Sequence, residues 1–254
     1  MTASNLEVNH QEKVDTLKHY SVCICKAGST EFMKGQSVAQ KMYNKAWNTE
    51  SYLSKGAYAV VIFMRKNGEW NPIANLNCAL KNSNNKLPCE QIFGERNCEA
   101  AGVEDETQIA EICGLAIDDA TPTEMRRAVL MMLSMGLQSI AMHTKIRWVL
   151  TVQHEFLIRI LKESLGLPFM KTASEVDKKV SLPKDEYWSR NVMPRLYLLD
   201  SHHQATRAAC ESYFYYLSSL NITLQIRNSV GITHQSYSGF KRQWQNMKTT
   251  IAIN

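Results

Sequence analysis

Residues 108–118, QIAEICGLAID, carry a single carboxylate before the closing aspartate, Glu111, in a run otherwise made of apolar and small residues. Burying a glutamate among such neighbours is costly unless it is paired or does chemistry, which makes Glu111 the first candidate catalytic residue. The competing account is a carboxylate neutralised by a basic neighbour such as Arg147, or one facing solvent. Two positions on, Cys113 has the chemistry of a covalent nucleophile, yet no histidine shares its motif to activate it. The alternative for Cys113 is a small core thiol. Gly114, in mid-strand, marks either a β-bulge with close backbone approach or a glycine tolerated beside a bulky neighbour.

The following stretch, TPTEMRRAVLMMLSMG, reads as a helix opened by a capping box, with Thr121 as N-cap, Pro122 in the first helical position and Glu124 three residues beyond the cap. Strand, turn and helix N-terminus together form a site suited to a phosphorylated or acidic ligand. Arg126 and Arg127 lie in the first turns, where guanidinium groups suit a phosphate, and Lys145 and Arg147 are read as extending the same patch. The alternative for these side chains is a solvated charged face. No metal site is expected: HEFLI at His154 lacks the second histidine of a zinc-binding helix, and His202-His203 reads as a surface pair.

The elements that must position these residues follow from periodicity and punctuation. Tyr20–Cys25 reads as a strand and Thr30–Asn48 as an amphipathic helix. Ala57–Arg65 and Pro72–Leu80 read as a hairpin turning at Asn67-Gly68. Leu87–Phe93 reads as a single helical turn, and Glu95–Thr107 as an acidic loop or short exposed helix. Ile109–Ile117 is the strand carrying Glu111, and Pro122–His143 the helix after it. Arg147–Val152 reads as a strand, His154–Leu165 as a helix closed by Gly166, Met170–Val176 and Pro194–Leu199 as strands, and His202–Leu220 as a helix. The last 30 or so residues are polar and yield no assignment. The order implies an α/β (α+β) fold, a mixed sheet flanked by helices, in one domain: 1–200 as its main body and 201–254 as a C-terminal helix and extension.

The 254 residues are 44% hydrophobic, as suits a globular chain, and carry a formal charge of +5. That charge is uneven: residues 90–119 hold nine of the 24 acidic side chains and one basic one. The basic remainder favours an acidic partner by steering. Nucleic acid is not expected as a partner, because no run of basic residues interleaved with aromatics occurs. No apolar run is long enough to span a membrane, and the first 20 residues lack the apolar core of a secretory signal. Seven cysteines without paired spacing fit thiols in a reducing compartment, so a cytoplasmic location is expected.

Four motifs in order carry a resemblance. PIANLNCAL with LPCEQIFG, AEICGLAID, WVLTVQHEFLIRILKESLGLPFM and RLYLLD together resemble the acyl-carrier-protein-using branch of the GCN5-related N-acyltransferase superfamily. That branch comprises the long-chain N-acyl amino acid synthases and the acyl-homoserine-lactone synthases, and the resemblance covers roughly Ala57 to Asp200. It implies a GCN5-related acyltransferase-like sheet whose central strand bulges at Gly114 and splays from its neighbour. A backbone amide freed there would face a thioester carbonyl, and Glu111 would orient the acceptor amine or relay its proton. It also implies that the cytoplasmic chain is an enzyme with no bound cofactor, the acyl-phosphopantetheine of acyl carrier protein being the donor substrate and a small amine, such as an amino acid, the acceptor.

Coenzyme A-using members carry a glycine-rich loop that cradles pyrophosphate. The link here is DDATPTEMRR, without glycine, which favours the carrier-protein donor. An acyl pocket is expected from Trp148, Phe156, Leu157 and Ile160, which offer more apolar surface than an acetyl group requires. Two departures stand out. Where the branch has Ser-Arg, this chain has Cys113-Gly114, and its early helix offers Tyr43 and Trp47 but no arginine. Either the acceptor differs or the activity has been altered or lost. Two other readings therefore stand beside the N-acyl amino acid synthase: an autoinducer synthase using S-adenosylmethionine, and a non-catalytic acyl- or carrier-protein-binding module.

Overall fold

The computed structural model describes residues 18–49, 56–82, 86–94, 103 and 105–228. Most of the expected acidic loop, part of the polar loop before Lys86 and the tail from residue 229 lie outside these residues. Eight strands form one sheet in the order β6-β7-β5-β4-β3-β2-β1-β8. They are β1 (Lys18–Lys26), β2 (Tyr58–Lys66), β3 (Glu69–Leu80), β4 (Ile109–Ile117), β5 (Trp148–Gln153), β6 (Met170–Lys171), β7 (Arg195–Asp200) and β8 (Ile222–Asn228). The pairs β4–β5 and β1–β8 are parallel, and the rest are antiparallel. The hairpin turns where Asn-Gly supplies two successive positive φ angles, 53° at Asn67 and 84° at Gly68.

The helices are α1 (Thr30–Trp47), α2 (Glu90–Phe93), α3 (Thr123–Thr144), α4 (Glu155–Glu163), α5 (Glu186–Ser189) and α6 (Gln204–Ser219). Because side chains alternate across a strand, Ala110 and Ile112 of β4 join the main core beneath α3, α4 and α6, whereas Glu111 and Cys113 point to the opposite face. Methionines 131, 132 and 135 fill the main core. On the opposite face α1 seats Phe32 among Cys23, Cys25, Val61 and Phe63, and the segment Leu87–Phe93 covers Ile109 and Leu150 separately. Between α1 and this segment a cavity opens onto Glu111, Cys113 and Gly114 of β4.

Three expectations need correction. The capping box does not form. Asp118 makes an Asx turn, its Oδ1 accepting from Ala120 N (2.9 Å) and its carbonyl from Thr121 N (2.9 Å), which turns Thr121 inward and leaves Pro122 at the N-cap. The strand expected at Met170–Val176 is only two residues long. The polar C-terminal stretch supplies an unexpected strand, β8, which lies parallel to β1. It is held there by Arg227, whose Nε donates to Ser21 Oγ (2.8 Å) while its guanidinium lies over Phe63 and Trp70. Other boundaries agree to within a few residues. Helix α4 closes as expected at Gly166 (φ 71°), whose N–H donates to Lys162 O.

Candidate active site

Strand β4 is irregular on both sides at the same place. Toward β5, parallel pairing runs from Ile109 with Trp148 to Ile112 with Thr151 and then stops, although both strands continue. Toward β3, the register passes from Cys113 opposite Asn77 to Ala116 opposite Asn75, so Gly114 and Leu115 face the single residue Leu76. This is a β-bulge, and Gly114 holds a φ of 60°, which disfavours any side chain. A Cβ there would lie 2.7 Å from Asn77 Nδ2. The bulge is tied down by Asn75, whose Nδ2 donates to Gly114 O (2.9 Å) and to Asn77 Oδ1 (3.1 Å). The β4–β5 splay and the bulge together remove backbone groups of β4 from regular pairing, as a site for a reacting carbonyl requires.

Glu111 lies just before the splay, only 3% exposed. Its Oε2 accepts from Cys89 N (2.8 Å). Burial pushes the carboxyl up to about 7, aided by the nearby Glu90 charge and opposed by hydrogen bonds from Cys89. Glu90 anchors its own loop: its Oε1 accepts from Lys81 Nζ (2.5 Å) and its Oε2 from Leu87 N (2.7 Å). Arg147 does not neutralise Glu111; it pairs instead with Asp200 (3.2 Å).

A cavity of ≈190 Å³ opens over Glu111, with Cys113 and Gly114 in its wall. Tyr43 of α1 and Tyr187 of α5 form its aromatic sides, with ring centroids 6.4 Å apart. The Tyr187 hydroxyl donates to Val152 O (2.6 Å), and burial together with the negative groups around it holds the phenol well above its usual range. Tyr187 is fixed from behind by His154, whose Nε2 contacts Tyr187 O (3.0 Å) and whose Nδ1 contacts Val192 O (3.1 Å). Trp47 stacks on that imidazole at 5.1 Å, and Arg190 lies over the indole. Across the splay, an apolar cleft of ≈20 Å³ lies under α3 and α4, walled by Leu115, Leu130, Leu133, Leu161, Leu167 and Phe169, side chains that must part to admit a long chain. Ile112 and Gln153 line both spaces, so the two meet at the gap between β4 and β5.

The structure thus brings Glu111, Cys113 and Gly114 to one cavity and disperses the other candidates. Arg126 folds back onto the turn before its own helix, donating to Thr121 O (3.4 Å) and Asp119 O (3.3 Å). Arg127 braces α3 against the end of α4 by donating to Ser164 O (2.9 Å), and it lies over Tyr216. Lys145 and Arg147 do not extend that patch: they sit at the far end of α3, roughly 28 Å away at 1.5 Å per residue. Of the expected acyl-pocket residues, Phe156 (49% exposed) and Ile160 (40%) face outward, Leu157 packs beside the core and Trp148 supports the opposite cluster. Leu161 is the residue of α4 that reaches the cleft. Sequence reasoning missed Cys89, Thr49, Gln153, Asp185 and Tyr187; those between 172 and 194 lie in a segment with no periodicity to flag them. Among the described residues no group of His, Cys, Asp and Glu is arranged to hold a metal ion, and no helix is long and apolar enough to cross a membrane.

No protein-family model and no curated protein matches the chain. Solved structures do. The CoA-dependent acyl-homoserine lactone synthase BjaI, solved with MTA, superimposes with a TM-score of 0.53 at 9% identity, over 83% of this chain and 93% of that one. The same enzyme with SAM and isopentyl-CoA gives 0.52 at 10% identity over the same shares. The acyl-homoserine lactone synthase LasI gives 0.51 at 8%, over 77% of this chain and 96% of that one. At such identities the likeness speaks for the fold. The chain shares the fold of these acyl-homoserine lactone synthase structures, here a mixed sheet flanked by helices.

Proposed function

We propose that the chain is an N-acyltransferase that moves a long-chain acyl group from the phosphopantetheine thioester of acyl carrier protein to a small primary amine. The observation that carries this reading is the buried Glu111 beside the β4–β5 splay, with a cavity lined by Glu111, Asp185 and aromatic rings on one side and an apolar cleft on the other. A thioester in the gap would direct its acyl chain toward the leucines and its carbonyl toward the bulge, where β4 leaves regular pairing with β5. The amine approaches from the cavity side, attacks the carbonyl carbon and gives up a proton to Glu111, directly or through water. Backbone N–H groups stabilise the oxyanion. Collapse breaks the C–S bond, and the proton held by Glu111 is available to the departing thiolate.

The carrier-protein donor is supported by the glycine-free turn before α3, whose Asp118 and Asp119 are tied to Lys41 and Lys45 of α1. The acyl-homoserine-lactone alternative shares the acylation step and differs in its acceptor, S-adenosylmethionine. The test is acyl transfer from a series of acyl carrier protein thioesters to a pool of amines, with products read by mass spectrometry. N-acyl products whose rate of formation rises from acetyl to about a dozen carbons are expected, since each buried methylene is worth about 0.8 kcal/mol. A flat series or a preference for acetyl rejects the long-chain assignment, and absence of any N-acyl product rejects the enzyme.

A further inference from the structure

The cavity over Glu111 has a charge pattern that narrows the acceptor beyond "small amine". Asp185 also lines it, and the Asp185 Oδ1 atom is buried without a hydrogen-bond partner. The same holds for Thr49 Oγ1, on a residue only 5% exposed. Asp185 stands at the N-cap position of α5, yet its side chain makes no capping bond. A carboxylate oxygen without a donor and a hydroxyl without any partner, on two residues lining one cavity, are expensive unless a ligand supplies hydrogen bonds. The acidic side chains are not offset by basic ones, for among the described residues lining the cavity there is no lysine, arginine or histidine. Arg190 and His154 line a neighbouring open groove.

Against the described lining, a ligand carboxylate would lose its water beside two acidic groups without gaining a cation, a heavily unfavourable exchange. A second ammonium or other strong donor would meet atoms that now lack one. Tyr43, Tyr187 and Trp188 offer ring surface to an alkyl or cationic body between the two ends. At ≈190 Å³ the space lies below the roughly 300–1,000 Å³ of drug-sized sites, so the ligand is compact.

Resting on the acyltransferase reading, we propose that the acceptor is a compact diamine lacking a carboxylate. One nitrogen meets Glu111 and is acylated, and the other is held by Asp185 and Thr49. In the step itself the thioester C–S bond breaks and an amide C–N bond forms. The amine nitrogen loses one proton to Glu111, and the thiolate leaves to be protonated. The distal ammonium remains charged throughout and binds ground state and transition state alike, so its loss raises KM.

The probes are 1,5-diaminopentane, lysine (the same skeleton with a carboxylate) and 1-aminopentane (the same chain without the second nitrogen). Calorimetry with the full-length protein and no donor measures binding, and acyl transfer is measured in parallel. The diamine is expected to bind more tightly than lysine by roughly 10²-fold. Asp185→Asn should weaken the diamine by roughly 10–100-fold and 1-aminopentane far less, and Thr49→Val should act in the same direction more weakly. Retained binding of 1-aminopentane reports that each variant is folded. Lysine binding as tightly as the diamine, diamine binding indifferent to Asp185→Asn, or no amine binding at all overturns the proposal. The expected binding pattern without acyl transfer to any acceptor upholds the pocket assignment and overturns the acyltransferase reading alone.

Discussion

Replacing Glu111 with glutamine tests the site through stability as well as rate. The side chain keeps its size and an oxygen able to accept from Cys89 N, and it loses the charge. In the folded protein the carboxyl titrates at about 7, against an ordinary value of 4.5, with desolvation as the leading cause. Between those values the native state holds a proton that the unfolded chain has already released, so wild-type stability falls as pH rises from about 4.5 to about 7. At about 1.36 kcal/mol per tenfold change in acidity, the penalty levels off at about 3 kcal/mol above pH 8. Glutamine carries no such penalty. Glu111→Gln should therefore match the wild type to within about 0.5 kcal/mol at pH 4 and be more stable by up to about 3 kcal/mol at pH 8, on the order of 6–12 °C in Tm for a chain of this size. Urea denaturation followed by tryptophan fluorescence at pH 4, 6 and 8 reads the difference. The same variant should lose about 10²–10⁴-fold in acyl transfer, and the wild-type rate should climb with pH toward a plateau just above 7. A stability difference that does not change with pH, or a variant less stable at pH 8, refutes the argument that the carboxylate is held ionised against its surroundings.

Three other expectations are as direct. Gly114→Ala should cost about 1–3 kcal/mol in chemical denaturation and abolish acyl transfer, because its Cβ meets Asn77 and its φ is positive; an active variant of normal stability would show that the bulge is dispensable. Arg126→Glu should raise KM for the carrier-protein donor roughly tenfold while Arg147→Glu, at the other end of α3, leaves it unchanged; equal effects in a steady-state assay would argue for diffuse steering by net charge. Leu133→Trp should shift the preferred acyl length several carbons shorter in a chain-length series, whereas Phe156→Ser, on the exposed face of α4, should not; the reverse outcome would move the acyl chain out of the cleft.

The buried acid and the bulge were legible because their signals are local. One carboxylate in an apolar strand and one glycine beside it report the buried acid and the bulge, and the alternation of β4 assigns them to known faces. The roof was not legible. Tyr187 and Asp185 are brought over β4 by a segment of turns whose order comes from tertiary bonds, such as the Tyr187 hydroxyl on Val152 O and His154 on two carbonyls. Thr121 illustrates a local rule overridden by a neighbouring one: Asp118 offers the backbone a competing turn, and the capping box is lost. Strand β8 did leave a trace, since Ile222, Leu224 and Ile226 alternate with polar residues, but three apolar positions in a polar stretch are a faint signal. The basic patch failed for a geometric reason, because residues near in function class were separated by the length of a helix.

The placement of β8 governs how this molecule comes into being. Strand β1 pairs along one edge with β2, close to it in sequence, and along the other with β8, far from it. Arg227 and Ser21, which meet there, are 206 residues apart in sequence. Contacts of such separation are slow to form, and an unpaired edge is open to other chains in the interval. Nascent or truncated chains ending before Ile222 would carry β1 as an exposed, adhesive border, its interior residues already buried on both faces but its backbone unpaired. Chains cut after Ser219 are therefore expected to show a lower soluble fraction on expression, although three strands separate β8 from β4, where the chemistry is proposed.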